Sequence, residues 1–190
     1  MNLGIAVTRE ALRRPDALAL FAADYTTTYS ELDRQTNRLA RWLRDSQGLR
    51  TGERVAVLLP NRCEVVECLV ASHKAGLVYV GLNFRMDESD LRSVFENAEP
   101  RLLLTCGEFA GLAASLEQAT GVPHVLIEEL SNNHPNARLH DIPDSPLGIF
   151  ASSSEHACIV YTSGTTGRPK GVLFDHAAMA HHAAVACLEY

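Results

Sequence analysis

The sequence predicts an α/β protein of three layers, in which a mostly parallel sheet carries helices on both of its faces. Short apolar runs alternate with amphipathic stretches from the start of the chain to about residue 130. One run, at residues 54–59 (RVAVLL), is apolar almost throughout, which is typical of a strand buried on both faces. With 190 residues, of which 46% are hydrophobic and 21% charged, the chain can build a core without disulfides or a structural metal.

The N-terminal segment predicts a helix, a hairpin and a second, longer helix. The first helix and the two hairpin strands cover residues 3–14, 17–21 and 26–28. The second helix begins at Thr28, because Thr28 and Glu31 have the spacing of a capping box, in which each side chain accepts a hydrogen bond from a free backbone N–H group. Leu32, Leu39 and Leu43 recur at helical spacing and predict its buried face.

The middle of the chain predicts strands and helices in strict alternation. After the strand at residues 54–59, a helix is predicted to begin at Asn61, with Glu64 three residues on, and to end at Gly76. The later strands lie at residues 77–80, 101–105 and 124–127, and the later helices at 88–98 and 108–119. The order of the strands within the sheet does not follow from the sequence.

The alternation lapses at residues 131–156, which are rich in Asn, Pro and Ser and predict a loop or linker. Periodicity returns with an apolar strand at residues 157–161. We therefore expect an α/β subdomain at residues 1–130, a linker at 131–156, and a strand, a loop and a following helix at 157–190.

Composition excludes several classes of protein. The formal net charge is −6 and the basic residues are scattered, so we expect no nucleic-acid partner. One basic cluster has helical spacing and is predicted to form a solvated face: Arg34, Arg38, Arg41 and Arg44. No apolar run reaches the ~18 residues that a membrane span needs. An odd number of cysteines without a CxxC pair predicts free thiols in a reducing cytoplasm: Cys63, Cys68, Cys106, Cys158 and Cys187.

Residues 158–172 (CIVYTSGTTGRPKGV) have the composition of a cradle for anions. Three glycines permit positive φ and let backbone N–H groups approach a ligand: Gly164, Gly167 and Gly171. Hydroxyl groups come from Thr162, Ser163, Thr165 and Thr166. Lys170 adds a compact positive charge that suits a phosphate, and Pro169 stiffens its presentation. The lysine is followed by glycine rather than Ser or Thr, which disfavours a P-loop kinase or GTPase.

Other interpretations of this region stay open at this point. By its spacing alone the stretch is equally compatible with a flexible surface turn, where Gly, Ser and Thr are common. His176, His181 and His182 follow on a predicted helix, but separations of five and six residues do not suit a zinc site. Cys158 adjoins the loop and is predicted to be a core thiol rather than a nucleophile.

Residues 161–172 (YTSGTTGRPKGV) resemble the phosphate-loop motif of the adenylate-forming superfamily. That superfamily includes acyl-CoA synthetases, luciferases and the adenylation domains of nonribosomal peptide synthetases. Three more stretches resemble it in the same order: residues 28–32 (TYSEL), 52–61 (GERVAVLLPN) and 73–83 (HKAGLVYVGLN). Gly81 stands where the family usually has proline, and we expect only a local effect on the backbone.

The resemblance implies an ATP-dependent acid–thiol ligase that joins a carboxylic acid to ATP, releases pyrophosphate and passes the acyl group to coenzyme A. It places Thr162, Ser163, Gly164, Thr165, Thr166 and Gly167 around the β- and γ-phosphates. Lys170 would help to neutralise them, and Thr162 is the implied magnesium ligand. Asn83, where peptide synthetases have aspartate, favours an acyl-CoA ligase.

The family places its adenine, ribose and magnesium residues, and a C-terminal lysine used in adenylation, beyond the point that matches Tyr190. We therefore expect an N-terminal portion that is inactive, or nearly so, on its own. Three alternatives stay open: a non-catalytic phosphate-binding or interaction module that needs a complementing chain or a homo-oligomer, a peptide-synthetase adenylation domain, and the remnant of a disrupted gene. The acyl substrate does not follow from the sequence.

Overall fold

Helices and strands alternate along most of the chain, as the sequence predicts. The computed structural model describes residues 2–22, 25–130, 138–148, 152, 155–162 and 169–189. The helices are α1 (Leu3–Arg13), α2 (Tyr29–Arg41), α3 (Cys63–Lys74), α4 (Glu88–Ala98), α5 (Ala110–Thr120) and α6 (His176–Glu189). The strands are β1 (Leu18–Ala22), β2 (Tyr25–Thr28), β3 (Arg54–Leu58), β4 (Val78–Gly81), β5 (Leu102–Thr105), β6 (His124–Leu126), β7 (His156–Thr162) and β8 (Lys170–Asp175). Within these ranges, no helix is long and apolar enough to cross a membrane.

Six strands form one sheet in the order β6–β5–β3–β4–β7–β8. The first five are parallel to one another, whereas β8 is antiparallel to β7. The helices α3, α4 and α5 connect successive parallel strands, because such strands need a crossover. The remaining strands, β1 and β2, pair as a separate antiparallel hairpin. The predicted fold class is confirmed, and the structure adds the strand order.

The two faces of the sheet are buried under different helices, because successive side chains of a strand point to opposite faces. On one face, Val57 of β3 shares a core cluster with Leu43 after α2 and Ala71 of α3. On the other face, Leu58 shares a cluster with Leu116 of α5, and α4 packs beside it. Helices therefore cover both faces of the sheet, and the predicted three layers are confirmed.

The start of α2 is the capping box that its sequence predicts. The backbone N–H of Glu31 donates to Oγ1 of Thr28 at 3.3 Å, and the backbone N–H of Thr28 donates to Oε2 of Glu31 at 2.8 Å. The predicted inner face is also confirmed, since Leu32, Leu39 and Leu43 are buried. A wider helical turn, Trp42–Ser46, continues α2.

The start of α3 differs from the prediction, whereas its end agrees. Asn61 does not cap the helix: the N-cap residue is Arg62, without a side-chain cap. Glu64 is not free to complete a capping box, because both of its carboxylate oxygens accept hydrogen bonds from the Arg62 guanidinium, at 2.9 and 2.5 Å. Gly76 follows the helix with φ of 70°, and the N–H of Leu77 donates to the Ser72 carbonyl, which closes the helix as glycine usually does.

Two of the four arginines predicted to form a solvated face, Arg38 and Arg41, contact another segment of the chain, whereas Arg34 is exposed as predicted. Arg38 lies 3.3 Å from the carboxylate of Asp144, and Arg41 donates to the carbonyl of Ser145 at 2.9 Å. These contacts hold residues 138–148 of the predicted linker against α2. A spacing argument cannot detect them, because the partners lie more than 100 residues further along the chain.

Strand β8 was missed by the sequence analysis, which placed a helix directly after the loop. Its sequence, KGVLFD, does not alternate between apolar and polar residues as a half-buried strand does. In the structure its first four residues are exposed. It forms a strand because β7 offers a partner across a hairpin. The following helix, α6, is confirmed.

Candidate functional site

The predicted phosphate loop joins β7 to β8, and the structure describes the residues at both of its ends. Thr162 ends β7 and is the register partner of Lys170, which begins β8. Both residues are exposed, and with the described part of the chain neither side chain makes a hydrogen bond or an ion pair. Residues directly opposite each other on antiparallel strands point to the same face, so the hydroxyl and the ammonium group share one side of the hairpin.

The remaining residues predicted to hold phosphate lie outside the described residues: Ser163, Gly164, Thr165, Thr166 and Gly167. The structure therefore places two of the seven predicted phosphate-binding residues, Thr162 and Lys170, one at each end of the loop. Their roles stay predictions.

The loop-bearing end of the hairpin extends beyond the parallel part of the sheet. Pairing between β4 and β7 ends with Gly81 and Val160, whereas pairing between β7 and β8 continues to Thr162 and Lys170. The extension lies at the carboxyl ends of β4 and β7. Open α/β sheets bind their ligands at this edge, so the positions of Thr162 and Lys170 suit a binding site.

Tyr161 fastens this extension to α4. Its hydroxyl donates to Oδ1 of Asn97 at 2.6 Å, and its ring packs against the core cluster that α4 and α5 form. Partial burial raises the pKa of Tyr161, which keeps the phenol protonated and able to donate. Tyr161 begins the motif at residues 161–172, but the sequence predicted no role for it or for Asn97. No signal was available, because the two are separated by 64 positions.

Gly171 is needed for a reason other than the predicted one. It was predicted to permit a positive φ, but it lies in extended β8 and is not among the glycines with positive φ. Instead, a Cβ atom added there would lie 3.0 Å from Cζ of Tyr161 and 3.0 Å from Cγ2 of Ile159. Such contacts are tighter than ordinary packing allows, so glycine leaves room for the Tyr161 ring.

Other polar side chains at this edge of the sheet have structural partners. Thr105 at the end of β5 donates to the Leu58 carbonyl at 3.0 Å. Asn83 after β4 accepts a hydrogen bond from the backbone N–H of Arg85 at 3.0 Å. Arg62 after β3 is bound to carboxylates, as described above. Each of these side chains thus has at least one partner within the fold.

Thr162 could supply one oxygen ligand to magnesium. This ion takes six oxygen ligands and is commonly held by one or two carboxylates together with phosphate oxygens and water. No cluster of three or more His, Cys, Asp or Glu side chains suited to a metal ion occurs among the described residues. The Thr162 hydroxyl is an oxygen donor of the kind that this ion takes, and its role as a magnesium ligand stays a prediction.

The three histidines after the loop do not form a common site. His176 is buried and meets the ring of His73 edge to face, with centroids 4.8 Å apart. His181 and His182 are exposed, and His182 packs against Phe174. The side chains of the three histidines therefore lie in different environments. Burial, together with the nearby His176 ring, lowers the pKa of His73 to about 4.

Cys158 has the environment of a core thiol. It is buried in the cluster between the sheet and α3, and burial raises its pKa to about 11. A thiol with so high a pKa is protonated at neutral pH and is a poor nucleophile. This geometry agrees with the predicted structural role.

Comparison with known proteins gives a match over most of the chain. The family model described as "AMP-binding enzyme" matches residues 7–189. A feruloyl-CoA synthase from Amycolatopsis sp is 36% identical over 175 residues, which cover 92% of this chain and 33% of that protein. A Mycobacterium marinum protein named medium/long-chain-fatty-acid–CoA/3-oxocholest-4-en-26-oate–CoA ligase is 32% identical, covering 85% of this chain and 32% of that protein.

A third relative comes from a different class of enzyme. The bassianolide nonribosomal cyclodepsipeptide synthetase of Beauveria bassiana is 34% identical over 178 residues, which cover 87% of this chain and 5% of the synthetase. The chain spans about a third of the length of the feruloyl-CoA synthase and of the Mycobacterium marinum ligase.

Solved structures agree with the fold. VinN superposes with a TM-score of 0.85 at 30% identity, covering 100% of this chain and 48% of VinN. ATP-bound MatB from Rhodopseudomonas palustris superposes with a TM-score of 0.81 at 27% identity, covering 96% of this chain and 36% of MatB.

Proposed function

Because the chain belongs to the AMP-binding enzyme family, we propose that it forms the N-terminal part of an ATP-dependent, AMP-forming acyl-CoA ligase. The complete enzyme activates a carboxylic acid as its acyl-adenylate, releases pyrophosphate and then forms a thioester with coenzyme A. The support comes from relatives that are named as CoA ligases or synthases at 32% and 36% identity.

Within this enzyme, the chain contributes the residues that bind the triphosphate. Residues 162–167 bind the β- and γ-phosphates, and Lys170 neutralises part of their charge. The observation that carries the proposal is the pairing of Thr162 with Lys170 at the mouth of the loop, on the carboxyl edge of the sheet. Magnesium, held mainly by the phosphates and water, takes the Thr162 hydroxyl as a further ligand.

The chemical role of these residues follows from where charge develops. A carboxylate attacks the α-phosphorus in line, and negative charge accumulates on the departing pyrophosphate. Cationic and N–H groups that are held in place before the reaction stabilise such charge without a cost of reorganisation. Lys170 meets this requirement because a β-strand, rather than a free loop, carries its backbone.

The adenine, ribose and acyl sites, and the main catalytic groups, belong to the part of the enzyme that this chain does not span. We propose that residues 1–130 and 157–190 frame the phosphate loop, with residues 131–156 connecting them. We propose a cytoplasmic location, which suits the buried free thiols of Cys68, Cys106 and Cys158.

A second candidate function is an interaction module completed by another chain. Its motivation is the outer end of the sheet, where Val172 and Leu173 of β8 are 45% and 48% exposed. Among the described strands β8 pairs with β7 alone, and an unpaired edge of this kind can accept a further strand. A monomer with no tendency to associate would count against this candidate.

The third candidate is an adenylation domain of a peptide synthetase, which the Beauveria bassiana relative supports. Asn83 in place of aspartate favours the acyl-CoA ligase. Extension of the sequence into the acyl pocket would distinguish the two.

The test of the proposed function is calorimetric titration of the chain with Mg·ATP, beside its Lys170→Ala variant. We expect measurable binding that weakens by about tenfold to a hundredfold in the variant, since a charge-assisted contact contributes about 1.5 to 3 kcal/mol. Arg101→Ala is the matched control: it removes a cation that is 64% exposed at the start of β5, on the opposite edge of the sheet. Equal loss of affinity in both variants would refute a specific role of Lys170.

A further inference from the structure

We infer that Tyr161 is a positioning residue for the phosphate loop: its hydroxyl holds the loop-bearing end of the β7–β8 hairpin against α4, so that Thr162 and Lys170 face the triphosphate together. This inference rests on the proposed function, which supplies the ligand of those two residues.

The extension of the hairpin has little support of its own. Beyond Val160, β7 pairs with β8 and no longer with β4. β8 is the outermost strand of the sheet as described. Residues 161–162 and 170–171 therefore form a two-stranded ribbon, and such ribbons are marginally stable in water without further packing.

Tyr161 connects this ribbon to a rigid element. It is the first residue of the extension, and its hydroxyl reaches Asn97 near the end of α4 at 2.6 Å. The same end of α4 is fixed in the core, since Phe95 and Ala98 on either side of Asn97 are buried. A hydrogen bond to this point restrains how far the ribbon can swing away from the sheet.

The Tyr161 side chain contacts both strands of the ribbon. The Tyr161 ring lies so close to Gly171 of β8 that a Cβ atom at Gly171 would be 3.0 Å from its Cζ. Thr162 follows Tyr161 directly, and Lys170 directly precedes Gly171. The ring and its hydroxyl therefore restrain the two residues at the loop ends at once.

Four variants separate the hydrogen bond from general effects on stability. Tyr161→Phe removes the donor, Asn97→Ala removes the acceptor, and Asn97→Asp keeps an acceptor oxygen in place. Tyr25→Phe is the matched control, because it removes a tyrosine hydroxyl that is bound to Glu67 and Gln35 at the other hairpin. Two quantities are measured for each: hydrogen exchange of the backbone amides at residues 161–162 and 170–172, and the affinity for Mg·ATP.

We expect exchange in the ribbon to accelerate about fivefold, and ATP affinity to fall about fivefold, in Tyr161→Phe and Asn97→Ala, the effect of losing one hydrogen bond. Combining both changes should add nothing further, because they remove the same bond. Asn97→Asp should behave as the unmodified protein, and Tyr25→Phe should leave both quantities unchanged. The effect of Tyr161→Phe, which leaves Asn97 in place, would not occur if Asn97 served only to pack the helix.

Two results would overturn the inference: unchanged exchange and affinity in Tyr161→Phe, or an Asn97→Asp variant that behaves like Asn97→Ala. Faster exchange with unaltered ATP affinity would also overturn it, because the ribbon would then be ordered without positioning a ligand. If the unmodified chain binds no ATP, the proposal that this chain binds the triphosphate is refuted. The hydrogen-exchange rates alone then test whether Tyr161 restrains the ribbon. Faster exchange in Tyr161→Phe, restored in Asn97→Asp, then supports its hold on the ribbon, and equal rates refute it.

Discussion

The ammonium group of Lys74 lies 2.6 Å from Oδ1 of Asp33, and both side chains are largely buried, at 8% and 14% exposure. The same nitrogen donates to Oδ1 of Asn37 at 2.8 Å, and Thr8 of α1 donates to the Asp33 carboxylate at 2.6 Å. This network joins α1, α2 and α3. Gly4 of α1 leaves space for it, since a Cβ there would lie 2.7 Å from Cγ of Lys74. The lysine of the stretch at residues 73–83 therefore has a structural role.

Replacing Lys74 with methionine should destabilise the fold strongly. The change leaves the Asp33 carboxylate buried without its countercharge, and breaking a buried pair in this way costs about 3 to 5 kcal/mol. Arg92→Met is the control, because the Arg92–Glu88 pair is 46% and 41% exposed and should contribute less than about 1 kcal/mol. Urea unfolding of both variants measures the difference. Similar losses of unfolding free energy in both variants would show that the buried Lys74–Asp33 pair contributes no more than an exposed ion pair.

The buried His73 should make the fold sensitive to acid. Its folded pKa of about 4 is below the unfolded value of 6.5, so on acidification the unfolded chain binds the proton first. Stability from this residue is therefore intact above about pH 6.5 and declines as the pH falls towards about 4, by a total of about 3 kcal/mol.

The measurement is the free energy of unfolding as a function of pH, for the unmodified protein and for His73→Gln. The amide can still donate to the Ala157 carbonyl, which lies 3.1 Å from Nε2 of His73. Carboxyl groups titrate in the same range in both proteins, so the difference between the two curves isolates the histidine. Parallel curves would contradict the prediction.

Adding a methyl group at Gly171 should destabilise the hairpin. Gly171→Ala places Cβ 3.0 Å from both Tyr161 and Ile159, and overpacking of this kind costs about 1 to 3 kcal/mol. Gly111→Ala is the matched control on α5, where a Cβ meets nothing within 4 Å. There alanine should stabilise the protein by about 0.5 to 1 kcal/mol, because it favours the helix more than glycine does. Thermal unfolding should show a lower melting temperature for Gly171→Ala and a higher one for Gly111→Ala. Shifts in the same direction would refute this account.

Lys170 should be the lysine that an amine-reactive acetylating reagent modifies. The chain has two lysines, and Lys74 is only 8% exposed and paired with Asp33. If the proposed function is correct, Mg·ATP at about ten times its Kd should slow acetylation of Lys170 about tenfold by occupying the site. The N-terminal amine serves as the internal control, since ATP should not protect it. Mass spectrometry of the peptides measures both rates, and an unprotected Lys170 would contradict the proposed binding of the triphosphate.

Much of the fold could be predicted because its signals are local. The capping box of Thr28 and Glu31 and the glycine stop at Gly76 depend on residues within one helical turn, and both are confirmed. The cap at Asn61 failed for a local reason as well, since Arg62 competes for the carboxylate of Glu64. Strand β8 was not predicted, because its own sequence lacks a strand pattern and it forms a strand by pairing with β7.

The sequence by itself determined the fold class and most element boundaries, and it predicted a loop suited to phosphate, because these depend on periodicity and on short motifs. Only the tertiary structure decided that Thr162 lies opposite Lys170, that Gly171 makes room for a ring, and that Tyr161 reaches Asn97. The physical reason is that strand pairing and crossover helices bring distant segments together. Contacts between residues 64 positions apart leave no mark in the spacing of either segment.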